Sequence, residues 1–256
     1  MTYSIEKITT LLGARRYGTK ESNIAFLLTD SRSLSFPEET LFFALRSERN
    51  DGHNYIDDLY RRGVRNFVVE TTDGISDYSD ANFLVVPSTL AALQRLAERH
   101  RDEFDIPVIG ITGSNGKTVV KEWLYQLLMP SMHVTRSPRS YNSQIGVPLS
   151  VWKLHEGSDL GIIEAGISQT DEMQKLADII QPTVGVFTTL GQAHQENFHS
   201  LEEKCREKFL LFTNCKTLIY PIDNDVVFRV LHKCDFKGEK LGWSLTDSSA
   251  PFFVSK

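Results

Sequence analysis

The chain has 256 residues, of which 41% are hydrophobic and 24% are charged, and this composition is typical of a globular protein with one large domain or two ordinary ones. Its formal net charge of -5 and its lack of long lysine and arginine runs argue against a nucleic-acid partner. The N-terminal stretch MTYSIEKITTLLGARR resembles neither a secretory signal nor a membrane span, and the three cysteines form no C-x-x-C pair. We therefore expect a cytoplasmic protein with reduced thiols and no membrane span.

The first hundred residues contain four short runs of β-type residues separated by turns, namely NIAFLLT, TLFFAL, NFVVE and NFLVV. An amphipathic segment from Tyr55 to Arg62 lies between the second and third runs, and a helical pattern extends from Ser88 to His100. These patterns predict a small α/β domain over residues 1–104 that binds a substrate.

From residue 105 onward, apolar runs alternate with helical patterns. The runs are DIPVIGIT, HVT, LGIIEAG, TVGVFTT and TLIYP. Helices are predicted from Lys117 to Met129, from Asp171 to Ile180 and from Leu201 to Phe212. Such alternation is typical of a mainly parallel sheet covered by helices, so residues 105–256 are predicted to form a three-layer α/β nucleotide-binding domain.

The stretch GITGSNGKT at 110–118 follows a predicted strand and opens a predicted helix, which is where a phosphate-binding loop belongs. It departs from the usual G-x-x-x-x-G-K-[ST] spacing, because Ile111 stands where the first glycine is expected. Backbone amides of the loop could still converge on phosphate oxygens at the positive end of the helix, with Lys117 countering charge and Thr118 reaching Mg²⁺. The alternative is a glycine turn that happens to precede a surface lysine. The predicted nucleotide-binding set is Gly113, Ser114, Asn115, Gly116, Lys117 and Thr118.

The short form T-G-[ST]-N-G-K-T resembles the loop of the Mur ligase family, ATP-dependent enzymes that extend a peptidoglycan precursor, and folylpolyglutamate synthases have a similar loop. The segment SYNSQIGVP at 140–148 resembles the family's N-N-[DE]-I-G-V-P, with Asn142 in place and Ser143 and Gln144 departing from it. LGIIEAGIS resembles the family's strand ending in E-x-G, and its glutamate, which binds Mg²⁺ in the family, corresponds to Glu164.

The segment TTLGQAHQENFHSLEEKCREK at 188–208 resembles a family segment with a histidine and a later lysine, here His194 and Lys208. Thr189 replaces the family's asparagine. The lysine is carbamylated in several members, so the resemblance implies a carbamate on Lys208. Without the resemblance, Lys208 could equally lie on a solvated, charged helix face.

The N-terminal half resembles the family's uridine-diphosphate-sugar domain, through DSR at 30–32 and DGH at 51–53. Glu39 and Ser47 replace two of its usual glycines. Folylpolyglutamate synthases lack this module, so the resemblance favours the Mur ligases. It implies substrate binding by Ser31, Arg32, Asp51, Gly52, His53 and Asn142.

In the family's reaction, a substrate carboxylate attacks the γ-phosphate of ATP, and an amine converts the resulting acyl phosphate to an amide. The resemblance implies catalytic roles for Lys117, His194 and Lys208. It also implies two Mg²⁺ ions, with ligands among Thr118, Glu164, His194 and Lys208.

IGVP and AHQENF resemble the members that add D-alanyl-D-alanine to UDP-N-acetylmuramoyl-tripeptide, some of which are fused to an alanine racemase. We therefore expect a full-length enzyme that is monomeric or fused to such a racemase. Family members carry a further C-terminal domain, so we expect residues 105–256 to be a truncated central domain and residues 1–256 to be inactive as a ligase on their own. Two alternatives stay open: a member that adds a single amino acid, and a non-catalytic nucleotide-binding homologue that acts as a scaffold.

Overall fold

The computed structural model describes residues 1–191 and 197–254. The chain divides into two compact units, Met1–Arg99 and His100–Lys256. Within the described ranges, every helix is too short or too polar to traverse a lipid bilayer.

The first unit is built on a five-stranded sheet with the strand order β2-β7-β6-β5-β4. Its strands are β1 (Tyr3–Ser4), β2 (Arg15–Tyr17), β3 (Asn23–Ile24), β4 (Phe26–Leu28), β5 (Thr40–Phe43), β6 (Asn66–Val69) and β7 (Asn82–Val85). The α-helices of this part of the chain are α1 (Ile5–Leu12), α2 (Ile56–Arg61) and α3 (Thr89–Arg101). Strands β4 to β7 run parallel, β2 joins β7 in the antiparallel sense, and β1 pairs with β3 separately. Aromatic residues from neighbouring strands form part of the core, where Phe67 stacks on Phe83 and packs edge-on against Phe42.

Helix α1 was absent from the sequence-based prediction, although its signals are local. Ser4 caps its first turn by accepting a hydrogen bond from the Lys7 amide, and Gly13 ends it in the left-handed conformation. Ile5, Ile8 and Leu12 recur at helical spacing and are buried.

The second unit is built on a seven-stranded sheet with the order β14-β13-β12-β11-β8-β10-β9. Its strands are β8 (Val108–Thr112), β9 (Val134–Arg136), β10 (Leu160–Glu164), β11 (Val184–Phe187), β12 (Thr217–Pro221), β13 (Glu239–Ser244) and β14 (Phe252–Phe253), and its helices are α4 (Lys117–Leu128), α5 (Gly146–Val151), α6 (Met173–Ile180), α7 (Leu201–Phe209) and α8 (Asp225–Lys233). All of its described strand pairs are parallel. The predicted α/β class with a mainly parallel sheet is therefore confirmed.

The order of this sheet creates a crevice at the carboxyl end of β8. The chain passes from β8 to β9 and β10 on one side, and then to β11 on the other side of β8. Ligands of open parallel sheets bind at such a switch point, outside the carboxyl ends of the strands. The loops that follow β8, β10 and β11 meet at this edge.

Candidate functional site

The glycine loop connects β8 directly to α4. Gly116 caps the helix with a φ of 82°, and Gly113 has a φ of 147°. A Cβ atom at Gly113 would lie 2.0 Å from Oγ1 of Thr188. Both positions therefore require glycine, one for its backbone conformation and the other also for space.

The loop after β11 holds the glycine loop in place. The Ser114 amide donates to the Thr189 carbonyl at 2.7 Å, and the Asn115 amide lies 3.3 Å from the Thr189 hydroxyl. Oγ1 of Thr188 donates to the Asn115 carbonyl at 2.7 Å, and the Ser114 hydroxyl accepts from the Gly191 amide at 2.9 Å. Two of the four loop amides expected to face phosphate are thus engaged with Thr189, which leaves the two glycine amides and the first turn of α4 for an anion.

Lys117 begins α4 and points back across the loop. Its Nζ donates to the Gly113 carbonyl at 2.9 Å. Burial lowers the pKa of Lys117, and attraction to Glu164 opposes that shift only in part. The ammonium group is therefore poorly compensated, and an anion next to it would be favoured.

Glu164 ends β10 and collects polar groups from α4 and from the turn after β9. Its carboxylate is 1% exposed and accepts from the Thr118 hydroxyl at 3.1 and 3.0 Å and from Nδ2 of Asn142 at 2.6 Å. The Ser140 hydroxyl lies 3.3 Å from that of Thr118. Carboxylate and hydroxyl oxygens are ligands that Mg²⁺ accepts, so Glu164 and Thr118 fit this ion. No group of three or more histidine, cysteine or acidic side chains with metal-binding geometry occurs among the described residues.

Lys121 also belongs to this cluster, and the sequence-based prediction omitted it. Its side chain is fully buried, with Nζ 3.6 Å from Oε2 of Glu164 and 3.3 Å from Oε1 of Glu122. Its position one helical turn after Lys117 was the available signal, because residues four apart share a helix face.

Helix α7 places two lysines in the interior. Lys204 and Lys208 are 1% and 2% exposed, and Nζ of Lys204 donates to the Gly191 carbonyl at 2.6 Å. Burial, together with repulsion from Lys117 and Lys204, lowers the pKa of Lys208 to about 7. The alternative of a solvated, charged face around Lys208 is therefore wrong. His194, which was predicted to act beside Lys208, lies outside the described residues.

In the first unit, the DSR turn follows β4 and leaves an arginine open to solvent. Asp30 accepts from the Arg32 amide at 3.0 Å and pairs with its guanidinium at 2.7 Å. Hydrogen bonds from Arg32 lower the pKa of Asp30. The Arg32 side chain is still 87% exposed, and the Ser31 carbonyl accepts from Arg62 at 2.9 Å.

The DGH turn is held by hydrogen bonds that converge on Asp51. Asp51 accepts from the His53 amide at 3.0 Å, from its Nδ1 at 2.6 Å and from Nε of Arg46 at 3.0 Å. The Glu70 amide donates to Nε2 of His53 at 3.0 Å, so the proton of a neutral ring lies on Nδ1. Partial burial opposes ionisation of Asp51, but the bonds from His53 and Arg46 outweigh it and lower its pKa to about 2.

The geometry shows how His53, one of the predicted substrate-binding residues, is held in place. Both of its ring nitrogens are engaged, and the ring connects the turn after β5 to the end of β6. Gly52 is also structural, because a Cβ there would lie 2.7 Å from the Leu45 nitrogen. Since β4 and β5 are parallel neighbours, the DSR and DGH turns still lie at the same edge of the small sheet.

Each of the two units matches a model of a known protein family. The family model described as the Mur ligase middle domain matches residues 111–247, and the one described as the Mur ligase family, catalytic domain, matches residues 23–101. This chain belongs to the Mur ligase family. The resemblance drawn from its motifs is confirmed.

Several curated relatives of this chain carry the name UDP-N-acetylmuramoyl-tripeptide–D-alanyl-D-alanine ligase. The Bacillus subtilis protein is 30% identical over 212 residues, covering 82% of this chain and 46% of the relative. The Synechocystis protein is 37% identical over 177 residues, covering 69% and 38%. The crystal structure of MurF ligase from Thermotoga maritima in complex with ADP is 26% identical, has a TM-score of 0.75 and covers 93% of this chain and 52% of that one. The chain thus spans about half the length of these relatives, or less.

Proposed function

We propose that this chain supplies the precursor-binding and ATP-binding units of a ligase that joins D-alanyl-D-alanine to UDP-N-acetylmuramoyl-tripeptide. The observation that carries the proposal is the contact of Thr118 with Glu164 beside a glycine loop, at the switch point of a parallel sheet. The substrates are taken from the names of the Bacillus subtilis and Synechocystis relatives.

ATP would bind with its phosphates at the start of α4. The free amides of the first helical turn and the positive end of the helix favour an anion there. Lys117 is close to the same place, and a phosphate oxygen would balance its buried charge. The Thermotoga maritima relative crystallised with ADP supports nucleotide binding by this fold.

Mg²⁺ would be held by Thr118 and Glu164, with Asn142 fixing the carboxylate from its other side. When bound, the ion would neutralise charge on the phosphates as the phosphoryl group transfers. Water and phosphate oxygens would complete its coordination, since Mg²⁺ commonly keeps several waters.

A second ion would lie toward Lys208, with His194 as a further ligand implied by the family resemblance. A neutral lysine amine can add CO₂, forming an N–C bond to give a carbamate and releasing one proton. The burial of Lys208 and its cationic neighbours favour the neutral amine that this step needs. The product is an anion and would attract a metal that the ammonium repels.

The precursor would bind at the carboxyl edge of the small sheet. Arg32 presents an exposed planar guanidinium that suits pyrophosphate or uracil oxygens, and Ser31 and the Asp51 turn lie at the same edge.

In the proposed reaction, the precursor carboxylate attacks the γ-phosphorus of ATP, and the bond between the γ-phosphorus and the leaving ADP breaks. The dipeptide amine attacks the acyl phosphate, phosphate leaves, and the amine loses a proton. The residues of the site contribute orientation and charge rather than a covalent intermediate.

The test is turnover by the complete gene product with ATP, UDP-N-acetylmuramoyl-tripeptide and D-alanyl-D-alanine. We expect equal amounts of ADP and of a product whose mass includes the dipeptide. Turnover with a single amino acid but not with the dipeptide would identify a different member of the family. Nucleotide binding with no turnover under any of these conditions would favour a scaffold.

A further inference from the structure

Lys121 is a fully buried lysine that the proposed reaction does not use directly. Its ammonium lies in the interior of the second unit, between α4, the end of β10 and the turn after β9. A buried ammonium is strongly disfavoured unless it is paired and hydrogen-bonded, so its partners account for its presence.

The partners of Lys121 converge on the candidate metal site. Its Nζ lies 3.6 Å from Oε2 of Glu164, which is itself only 1% exposed, and 3.3 Å from Glu122. Lys117 also attracts Glu164, but its own Nζ is bonded to the Gly113 carbonyl. In the part of the chain that the structure describes, Lys121 is the cation within 4 Å of the Glu164 carboxylate.

The two carboxylate oxygens of Glu164 have different partners. Oε1 accepts from Asn142 at 2.6 Å and from the Thr118 hydroxyl at 3.1 Å. Oε2 accepts from Thr118 at 3.0 Å and faces Lys121. Lys121 is therefore the partner that balances the charge of Glu164, while neutral groups fill its other hydrogen bonds.

Lys121 also holds the turn that brings Asn142 to the site. Its Nζ donates a hydrogen bond to the Arg139 carbonyl. Arg139 has a φ of 47°, a left-handed conformation that costs a non-glycine residue on the order of 1 kcal/mol. The turn continues to Ser140, next to Thr118, and to Asn142. One ammonium thus connects the helix, the strained turn and the carboxylate.

We propose that Lys121 is a positioning residue that balances the charge of Glu164 and fixes its direction toward Thr118, so that the pair is preformed for Mg²⁺. This rests on the proposed function, because Mg²⁺ at Glu164 is part of it. Partners that orient a metal ligand are typically important for metal affinity, and their loss costs roughly 10- to 100-fold.

The first test compares nucleotide affinity with and without Mg²⁺. The 256-residue chain is titrated with the fluorescent probe N-methylanthraniloyl-ADP in EDTA and over a range of Mg²⁺ concentrations. In Lys121→Met we expect affinity in EDTA close to that of the wild type, and a Mg²⁺ concentration for half-saturation raised by roughly tenfold or more. Lys121→Arg should recover part of the loss, and Lys175→Met, which removes an exposed lysine from α6, should change neither value.

A purely structural role predicts a different result. Equal losses of affinity in EDTA and in Mg²⁺ would overturn the inference, and so would an unchanged Mg²⁺ requirement in Lys121→Met.

The second test measures the ion pair without any nucleotide. Urea unfolding midpoints are compared for Lys121→Met, for Glu164→Gln and for the variant that carries both changes. Lys121→Met leaves the buried Glu164 carboxylate without its cation, and Glu164→Gln removes one of the two acidic partners of Lys121. Both midpoints should therefore fall, and the double variant should regain part of the loss. Additive losses would contradict the pairing.

The two tests also separate this inference from the proposed function. If the wild-type chain binds no nucleotide in either condition, the proposed function fails, and the unfolding comparison alone decides whether Lys121 supports Glu164. If the wild type binds in a Mg²⁺-dependent way and Lys121→Met does so equally well, the function stands and the inference fails.

Discussion

Thr118 and Glu164 are 46 positions apart in the sequence, yet the Thr118 hydroxyl lies 3.1 and 3.0 Å from the two carboxylate oxygens of Glu164. The sheet brings them together, because β8 and β10 are parallel neighbours in which Ile111 is paired with Glu164. The helix that starts after β8 must therefore begin beside the end of β10. A rigid scaffold thus fixes the pair, which is the condition for preorganised electrostatic catalysis.

Replacing Lys117 tests whether the glycine loop is a nucleotide site. In the complete gene product, Lys117→Ala should reduce ATP turnover by about 10²-fold or more, because it removes a charge directed at the transferred phosphoryl group. The fold should persist, since within the described residues the ammonium donates its hydrogen bond to a loop carbonyl, that of Gly113. ATP turnover and urea unfolding are measured for Lys117→Ala and for the control Lys175→Ala, which removes an exposed lysine of α6. A near-normal rate in Lys117→Ala would reduce the loop to a simple turn.

Gly113→Ala should disrupt the same loop by steric means. Its φ of 147° disfavours a side chain, and the new methyl group would lie 2.0 Å from Oγ1 of Thr188. Gly74→Ala is the matched control, because Gly74 also has a positive φ, of 71°, but no atom within 4 Å of the new Cβ. We expect Gly74→Ala to cost about 1 kcal/mol of stability and leave ADP affinity unchanged. Gly113→Ala should lower stability by more than Gly74→Ala does and should also weaken ADP binding. If the two variants changed stability and ADP affinity equally, the Thr188 side chain would have moved to make room for the new methyl group.

Local patterns were sufficient to predict much of the fold. Helix α4 was expected from Lys117 to Met129 and runs from Lys117 to Leu128, and α6 and α7 begin within two residues of their predicted starts. Continuous apolar runs such as LGIIE predicted buried parallel strands, and β10 is buried along its whole length. Such elements depend on periodicity within the segment itself.

The environment of charged side chains could not be predicted in this way. Lys121, Lys204 and Lys208 look like solvated helix residues in the sequence, and all three are buried. Their burial depends on partners that the sheet brings from distant segments, such as Glu164 for Lys121. The contacts of His53 could not be predicted for the same reason, because the Glu70 amide that donates to its second nitrogen comes from the end of the next strand.

Arg32→Ala tests the assignment of the first unit to the precursor. Its exposed guanidinium should donate two hydrogen bonds to the precursor, so the affinity for UDP-N-acetylmuramoyl-tripeptide should fall about tenfold or more. Isothermal titration with the precursor and with ATP gives the two affinities. Arg61→Ala removes another exposed arginine of the same unit and should leave both unchanged. A loss of ATP affinity with unchanged precursor affinity would mean that the two units have been assigned in reverse.

The buried Lys208 should make stability depend on pH in a defined window. Its pKa in the folded chain is about 7, below the ordinary value of 10.5. Between these values the unfolded chain binds a proton that the folded chain does not, so the free energy of unfolding should rise with pH by up to about 1.4 kcal/mol per unit. Below pH 7 both states are charged, and the cost of burying the ammonium is fully present.

Lys208→Met lacks this titration. The free energy of unfolding of the wild type minus that of Lys208→Met should therefore increase from pH 7 toward pH 10.5, as measured by urea unfolding at several pH values. For Lys175→Met, the same difference should stay flat across the window. A flat difference for Lys208→Met as well would show that the folded amine keeps its ordinary pKa.

The proposed carbamate on Lys208 gives a further prediction, which concerns activity rather than stability. Lys208→Ala in the complete gene product should lose most of its ligase activity, because no carbamate can form there to attract a second metal ion. A short-chain carboxylate such as acetate or propionate can enter the space left by the side chain and supply the missing anion, so its addition should restore part of the rate. Lys208→Arg should be inactive and should not be rescued, since its guanidinium does not react with CO₂ and its side chain fills the space that the added carboxylate needs.

In the wild-type chain, ¹³C-labelled bicarbonate should produce a carbamate signal in the NMR spectrum that is absent from Lys208→Ala. Wild-type rates in Lys208→Ala would remove Lys208 from the metal site and leave Thr118 and Glu164 as its ligands among the described residues.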